Sequence, residues 1–525
     1  MKRIQIDNFF KKYMSIILMS SIMLLFGIFF MYFVMRFFYL KRVMGVLIIL
    51  SILLCIVTGL LLNKKEIKLH RIYFISAIVL GIIYSTIIPV NGVPDEWCHY
   101  LTSYNVSNSI LGIKNNPDDT MNVRVSDYNI HHAKVINKIE NYEKYFSRVF
   151  EPVSAKNKNI KLKPLSTDRL PYIASSIGIT IGRILGFNAY YIYFLGRMFN
   201  LVLFAFLVSL AIKIIPIAKI GIFGVGLLPM VIHQGMSLSY DSLLFGLSFI
   251  IFSLTLYYLK EEKVFSLKNE IFLLVLYGFS GAAILPIKGK AYILVASIPF
   301  FMYIRETIKE KHIKNRFTIS AEVFLIVSLI IKIVNKLFPT IKNIGNHNSI
   351  FGKHIISWCN IEGYSLIELI KSPIFLVRII VKTFLREGGV FWNDSIGNRL
   401  GALNVTMPLF FTNVWILLLF IMFIKRENEN DYLSNKTKIM FIGMSVFTIG
   451  FILMGMLFIW TPRVYDFIVG VQGRYFLPIV PFIMISLKTD KIIVKQEIDK
   501  NLIRFTLILS ILIPFFTFLN IEIIK

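Results

Sequence analysis

Residues 91–100, Asn-Gly-Val-Pro-Asp-Glu-Trp-Cys-His-Tyr, set two adjacent carboxylates, Asp95 and Glu96, beside a thiol, Cys98, and an imidazole, His99. They follow directly on the apolar stretch 72–90. Proline suits the first turn of a helix, and carboxylates are favoured near a helix N-terminus. A helix beginning here puts Asp95 and His99, four apart, on one face. Adjacent carboxylates at low dielectric repel, so one can hold its proton while the other acts as a base. The plainer alternative is that both acids cap a helix at a headgroup boundary, and the local sequence leaves both open.

Four further clusters sit at the edges of apolar runs. Ser237-Leu-Ser-Tyr-Asp-Ser242 carries Asp241, which could be functional or an ordinary helix starter. In Gln472-Gly-Arg-Tyr-Phe-Leu-Pro478, Gly473 allows close backbone approach. Arg474 there could grip a phosphate in bidentate fashion or simply snorkel. Pro286-Ile-Lys-Gly-Lys-Ala-Tyr292 supplies Lys288, Lys290 and Tyr292, cations suited to a lipid headgroup or a substrate phosphate. Phe391-Trp-Asn-Asp394, with Gly397 and Gly401 nearby, offers Trp392 as an interfacial anchor or as a surface on which a sugar could stack.

The elements that must position these groups are membrane spans. Of the 525 residues, 56% are hydrophobic. Apolar segments near 14–35, 43–62, 72–90, 171–187, 190–212, 217–233, 242–259, 271–285, 291–304, 317–338, 407–424, 439–460, 475–487 and 503–521 approach the roughly 20 residues a membrane helix needs. The pattern predicts an all-α integral membrane protein of about 12–14 spans. Segment 14–35 is too long for a signal-peptide core and should remain as the first span. Three units are expected: an N-terminal two-span segment, 1–71; a core, 72–304, with a loop at 91–170; and a C-terminal membrane region, 305–525, with a loop at 339–406. No internal repeat is evident, which disfavours transporters built from inverted halves.

The net charge of +27 comes from basic residues clustered in short connections, such as Lys64, Lys65, Lys68 and Arg71, then Arg305, Lys309, Lys311, Lys314 and Arg316, then Lys488, Lys491, Lys495 and Lys500. That is the positive-inside pattern, and it speaks against nucleic-acid binding. It puts 91–170 and 339–406 outside. Two points resist it. The connection with Arg36, Lys41 and Arg42 would also lie outside. The three segments between 171 and 233 cannot all span, so 171–187, with Arg183, should be interfacial or re-entrant. Residues 365–386, with Arg378, Lys382 and Arg386, read as an amphipathic surface helix. Cys55 lies in an apolar run, whereas Cys98 and Cys359 fall outside, where a disulfide is possible.

The run Pro94-Asp95-Glu96 with His99, the Asp241-Ser242 pair and Gln472-Gly473-Arg474-Tyr475 with Pro478 resemble the signatures of a bacterial family of polytopic membrane proteins, domain of unknown function 2142. The resemblance extends from about 70 to 487. Trp97-Cys98 and Ser239-Tyr240 depart from the small residues and the Asn-Pro common at those places. That family looks like a branch of the GT-C glycosyltransferases. The resemblance implies a GT-C-like bundle acting outside the bacterial cytoplasmic membrane on a polyprenyl-phosphate sugar lipid, with an envelope glycan as acceptor. It implies Asp95 as base, with Glu96 second, and Lys288 and Arg474 on the phosphate. His99, Asp241, Lys290, Tyr292, Trp392, Gln472 and Tyr475 are expected to bind or position substrate. A divalent metal, Mg or Mn, is left open, with Asp95, Glu96 and Asp241 as its candidate ligands. The expected partners are the sugar lipid, the glycan and membrane lipids, with no nucleic acid. A transporter or flippase for a lipid-linked saccharide and a non-catalytic scaffold are the alternatives.

Overall fold

Apolar runs in lipid must satisfy their backbone polar groups internally, so they fold as helices. The computed structural model is built of helices joined by short connections, with strands only in small two-stranded pairings. It describes residues 2–523 except 65, 67, 115, 117–119, 131–138, 150–158, 163–168, 261–266, 338–351, 353, 428, 430–432 and 490. Parts of both long loops, and Lys65, therefore lie outside the described residues.

The helices are α1 (Lys2–Val34), α2 (Phe38–Leu62), α3 (Leu69–Ile87), α4 (Glu96–Ile110), α5 (Val125–Asn129), α6 (Ile139–Val149) and α7 (Ile173–Ile184). There follow α8 (Ala189–Ile214), α9 (Lys219–Gly226), α10 (Pro229–Gly235), α11 (Asp241–Leu259), α12 (Leu267–Ile284), α13 (Ile293–Ala296) and α14 (Ile298–Glu310). The last are α15 (Thr318–Leu337), α16 (Leu366–Lys371), α17 (Pro373–Ile396), α18 (Leu409–Phe423), α19 (Asn435–Trp460), α20 (Val480–Ser486) and α21 (Ile498–Ile523).

Among the described residues, eight helices are long and apolar enough to cross a membrane: α1, α2, α3, α8, α11, α15, α19 and α21. This is an all-α integral membrane fold. Fewer long helices form than the 12–14 expected, because several apolar stretches are short or broken. Pro229 has no backbone N–H to donate and separates α9 from α10. Pro299 and Pro478 similarly mark the stretch α13–α14 and the 3₁₀ turn Gly473–Ile479 that leads into α20.

Long-range bonds show which helix ends meet. Ser209 Oγ donates to His70 O at 2.8 Å, so the end of α8 lies by the start of α3. Leu238 N approaches Glu96 Oε1 at 3.4 Å, so the segment after α10 returns to the start of α4. Asn520 donates to Thr406 O at 2.9 Å, and Arg426 Nε to Asp499 Oδ1 at 2.7 Å, which fixes α18 antiparallel to α21. One face thus carries the connections after α3, α10, α12 and α19. The opposite face carries those after α2, α8, α14 and α20, where the lysine and arginine clusters lie. One hydrophobic core runs from Met19 to Leu519 and takes in residues of all three expected units.

Both topological puzzles have physical answers. Helix α7 has 12 residues, too few to span. It packs antiparallel on α8, and a Cβ on Gly178 would overlap the carbonyl of Leu195. Ile173, Ile177, Ile181 and Ile184 form an exposed stripe on it, while Arg183 turns inward to Ser107 Oγ at 2.9 Å. The basic connection after α1 is answered by α6. Glu143 accepts from the N–H groups of Tyr39 and Leu40, at 3.0 and 2.8 Å, and Glu140 lies 3.9 Å from Arg36. The helix expected over 365–386 is broken before Pro373 into α16 and α17, and α17 runs on to Ile396 with Ile374, Val377, Val381 and Leu385 exposed on one stripe. Cys55, Cys98 and Cys359 are all free thiols, so the possible Cys98–Cys359 bond is not formed.

Glu143 serves as the N-terminal cap that α2 lacks from its own sequence. Glu143→Ala should destabilise the protein by about 1–2 kcal/mol, the usual loss with a helix cap. Thermal unfolding in detergent should show a lower Tm than wild type, and an unchanged Tm would reject this capping role.

Candidate functional site

The site is organised by an arginine inside an apolar helix. Arg197 of α8 is 1% exposed, and its guanidinium finds a partner for each nitrogen. Nε and Nη2 donate to Glu96 Oε1 and Oε2 at 2.8 and 2.6 Å. Nη1 donates to Ile88 O at 2.7 Å and Nη2 to Pro89 O at 2.9 Å. These carbonyls follow the last turn of α3, where backbone acceptors lack helical partners. Glu96 Oε2 also accepts from Val93 N at 3.3 Å. One ion pair therefore joins the end of α3, the start of α4, α8 and the chain before α11. Both oxygens of Glu96 are engaged, so the expected second base is a positioning residue here.

Asp95 differs from its neighbour. It occupies the N-cap position of α4 with φ 59 and ψ 13, but its side chain makes no capping bond. That left-handed conformation is uncommon for a residue with a Cβ, although Asp tolerates it better than most. Its carboxylate is exposed, and among the described residues it has no ion pair. Simple capping thus does not account for Asp95.

The second half of the site is a buried acid between two cations. Asp241, the first residue of α11, is fully buried. Lys288 Nζ lies 2.7 Å from its Oδ1, and Arg474 Nε lies 3.6 Å from its Oδ2. Arg474 Nη1 donates to Gln234 Oε1 of α10 at 3.0 Å. A Cβ on Gly473 would overlap the backbone of α17 at Phe391, so only glycine lets Arg474 approach this closely. Lys288 sits at φ 50 after α12, its ammonium 3.9 Å from the Tyr475 ring centre. Tyr292 Oη donates to Tyr475 O at 2.8 Å and ties the two segments together. Neither oxygen of Asp241, nor Lys288 Nζ, nor Arg474 Nε has a hydrogen bond of ordinary geometry among the described residues. The charges are balanced in part, but their directional bonding capacity is unspent.

Burial pushes the Lys288 ammonium down to about 8, against the opposing pull of Asp241 and a smaller one from Asp95. It is still protonated at neutral pH. Burial also pushes His99 down to about 3, outweighing the attraction of Asp241. His99 is thus a neutral ring, hydrogen-bonded through Nδ1 to Tyr172 Oη at 2.9 Å and set edge-on to Tyr240. It can orient a partner but brings no charge.

Beside this cluster lies a cavity of about 500 Å³. Tyr240, Lys288, Lys290, Tyr292 and Tyr475 line its polar end, and Ile293, Phe451, Ile452, Met456 and Ile459 its apolar wall. Lys290 is exposed at φ 69. Gln472 borders the cluster in sequence, with a buried Oε1 that has no hydrogen-bond partner. Trp392 is half exposed on α17 and is not part of the cavity lining. Its neighbour Phe391 does the packing, against Phe476.

The acids do not form a metal centre. Glu96 is spent on Arg197, and Asp241 already faces two cations. No group of three His, Cys, Asp or Glu suited to a metal occurs among the described residues. A divalent ion does not fit the set Asp95, Glu96 and Asp241. Sequence reasoning missed Arg197, Gln234 and Tyr172. Only Arg197 carried a signal, as a charge inside an apolar run.

A family model described as "Predicted membrane protein (DUF2142)" matches residues 78–483. The chain belongs to this family. The matched region takes in Asp95, Asp241, Lys288 and Arg474 together. No curated protein and no solved structure matches the chain.

Removing one partner of the buried pair should be far worse than removing both. Arg197→Met alone leaves Glu96 charged and buried, at a loss of about 3–5 kcal/mol. The double variant Glu96→Leu, Arg197→Met should recover much of that. Thermal unfolding of the three proteins decides it, and equal losses in single and double variants would refute the dependence of the site on this pair.

Proposed function

We propose that the protein is a membrane glycosyltransferase that moves a sugar from a polyprenyl-phosphate carrier to an envelope glycan, on the outer face of a bacterial cytoplasmic membrane. The observation that carries this reading is Lys288 at the polar end of a cavity with an apolar wall, backed by the buried Asp241 and Arg474. Lys288 at the cavity suits a phosphate, Arg474 adds positive charge from behind it, and the apolar wall suits the lipid attached. Asp241 keeps both cations in place when no ligand is bound. The lysine-rich connections on the opposite face support an outward-facing site through the positive-inside rule.

In the proposed reaction an acceptor hydroxyl oxygen attacks the anomeric carbon on the side away from the phosphate. The new carbon–oxygen bond forms as the bond from that carbon to the phosphate oxygen breaks, and the configuration inverts. The hydroxyl proton passes to the Asp95 carboxylate, which is free to receive it. The departing phosphate takes the bonding electrons, and Lys288 and Arg474 stabilise the charge. Glu96 and Arg197 hold the loop–helix junction that presents Asp95. Neutral His99, fixed by Tyr172, orients the acceptor.

A transporter would favour charges near mid-membrane. Asp241 instead begins its helix, and Lys288 and Arg474 follow or precede spans, which supports chemistry at the membrane boundary. Purified protein given radiolabelled polyprenyl-phosphate sugars and envelope glycan should transfer label. Asp95→Asn should lower transfer by about 100-fold or more while donor binding persists. Unchanged envelope glycan in cells carrying a normally inserted Asp95→Asn protein would sink the proposal.

Donor affinity should also depend on pH. With Lys288 at about 8, its charge is present at pH 7 and is lost as pH rises through 8. Wild-type donor binding should therefore weaken between pH 7.5 and 9, and Lys288→Arg should remove that dependence. An equal decline in both proteins would assign the effect to another group.

A further inference from the structure

A second cavity, of about 380 Å³, lies between α12 and α15 and shares Lys290 with the first. Leu285, Pro286 and Ile331 form apolar walls, and Lys332 and Ser328 come from α15. Among the described residues neither Lys290 nor Lys332 has an ion-pair partner, and Ser328 Oγ is buried without a hydrogen bond. Lys332 lies within a helix long and apolar enough to span. An unpaired cation there is disfavoured unless it reaches the interface or meets an anion. The groove is held open by a firm contact below it, since a Cβ on Gly278 of α12 would overlap the backbone of α15 at Ser320.

We propose that this groove is a second lipid-phosphate site, taken by the polyprenyl monophosphate once the sugar has left it. This rests on the transferase reading above. The sugar-loaded donor is a phosphodiester with one negative charge, whereas the released monoester carries about −1.5 to −2 at pH 7. Lys288 is already shared with Asp241, but among the described residues Lys290 and Lys332 are not paired with any acid. The additional charge created by the reaction therefore favours the second pair of cations. Lys290, on the rim of both cavities, gives the phosphate a continuous cationic path, and the chain follows the apolar wall into the bilayer. The groove acts as the exit station for the spent carrier.

The test uses the full chain in bilayer discs of zwitterionic lipid. Binding of three probes is measured: polyprenyl monophosphate, polyprenyl-phosphate sugar and phosphatidylglycerol. Lys332→Gln should weaken monophosphate binding about tenfold, leave the sugar-loaded diester within about twofold, and be rescued by Lys332→Arg. Lowering pH from 7.5 to 5.5 should weaken monophosphate binding in wild type more than in Lys332→Gln, because the monoester loses its second charge near pH 6. In transfer assays the first turnover should be unaffected and later turnovers slowed. Unchanged monophosphate binding in Lys332→Gln would overturn the proposal, as would an equal loss for phosphatidylglycerol, which marks a general anionic-lipid site. If wild type binds the monophosphate through Lys332 but never binds the sugar-loaded diester, the groove stands as a lipid-phosphate site and the transferase reading falls.

Discussion

The arrangement depends on one buried ion pair, Arg197 with Glu96. A guanidinium buried in a helical bundle is tolerable only when every nitrogen is answered. Here the answers come from three places in the chain: Ser85 near the end of α3, the Ile88 and Pro89 carbonyls just after it, and the carboxylate that begins α4. Meeting this local demand fixes where α4 starts and how Asp95 projects. The segment before α11 joins the same carboxylate through Leu238, so the pair also sets the position of Asp241.

The two carboxylates of the Asp95-Glu96 dipeptide thus divide their labour by environment. Glu96 is buried and neutralised, and Asp95 is exposed in a left-handed turn with its oxygens free. Asp241 is neutralised twice over, by Lys288 and Arg474, which leaves the cluster net positive with Lys288 lining the cavity. Asp95 lies near enough to Lys288 to act on its charge, so an acid unpaired among the described residues and a cationic group stand close together at this end of the bundle. Neither helix packing nor capping explains both.

Much of this could be read in the sequence because each key group stands at the edge of an apolar run. Asp95, Asp241, Lys288 and Arg474 were visible as charges at membrane mouths, and the fold brings Asp241, Lys288 and Arg474 into contact. The partner of Glu96 was not visible, because Arg197 lies 101 residues away and only the folded chain pairs them. Gln234 escaped notice for the same reason, since it meets Arg474 across 240 residues. Trp392 looked like a sugar platform by type alone, but its ring lies outside the cavity lining and Phe391 makes the packing contact. Hydropathy does not register where proline breaks a crossing into short helices, as at Pro229 between α9 and α10.

The link between α6 and the first hairpin bears on how the protein is made. Arg36, Lys41 and Arg42 emerge from the ribosome about a hundred residues ahead of Glu140 and Glu143. Until α6 is made, the N–H groups of Tyr39 and Leu40 at the start of α2 lack the carboxylate that caps them in the finished fold. The first hairpin therefore gains its cap only after a distant part of the chain has been synthesised.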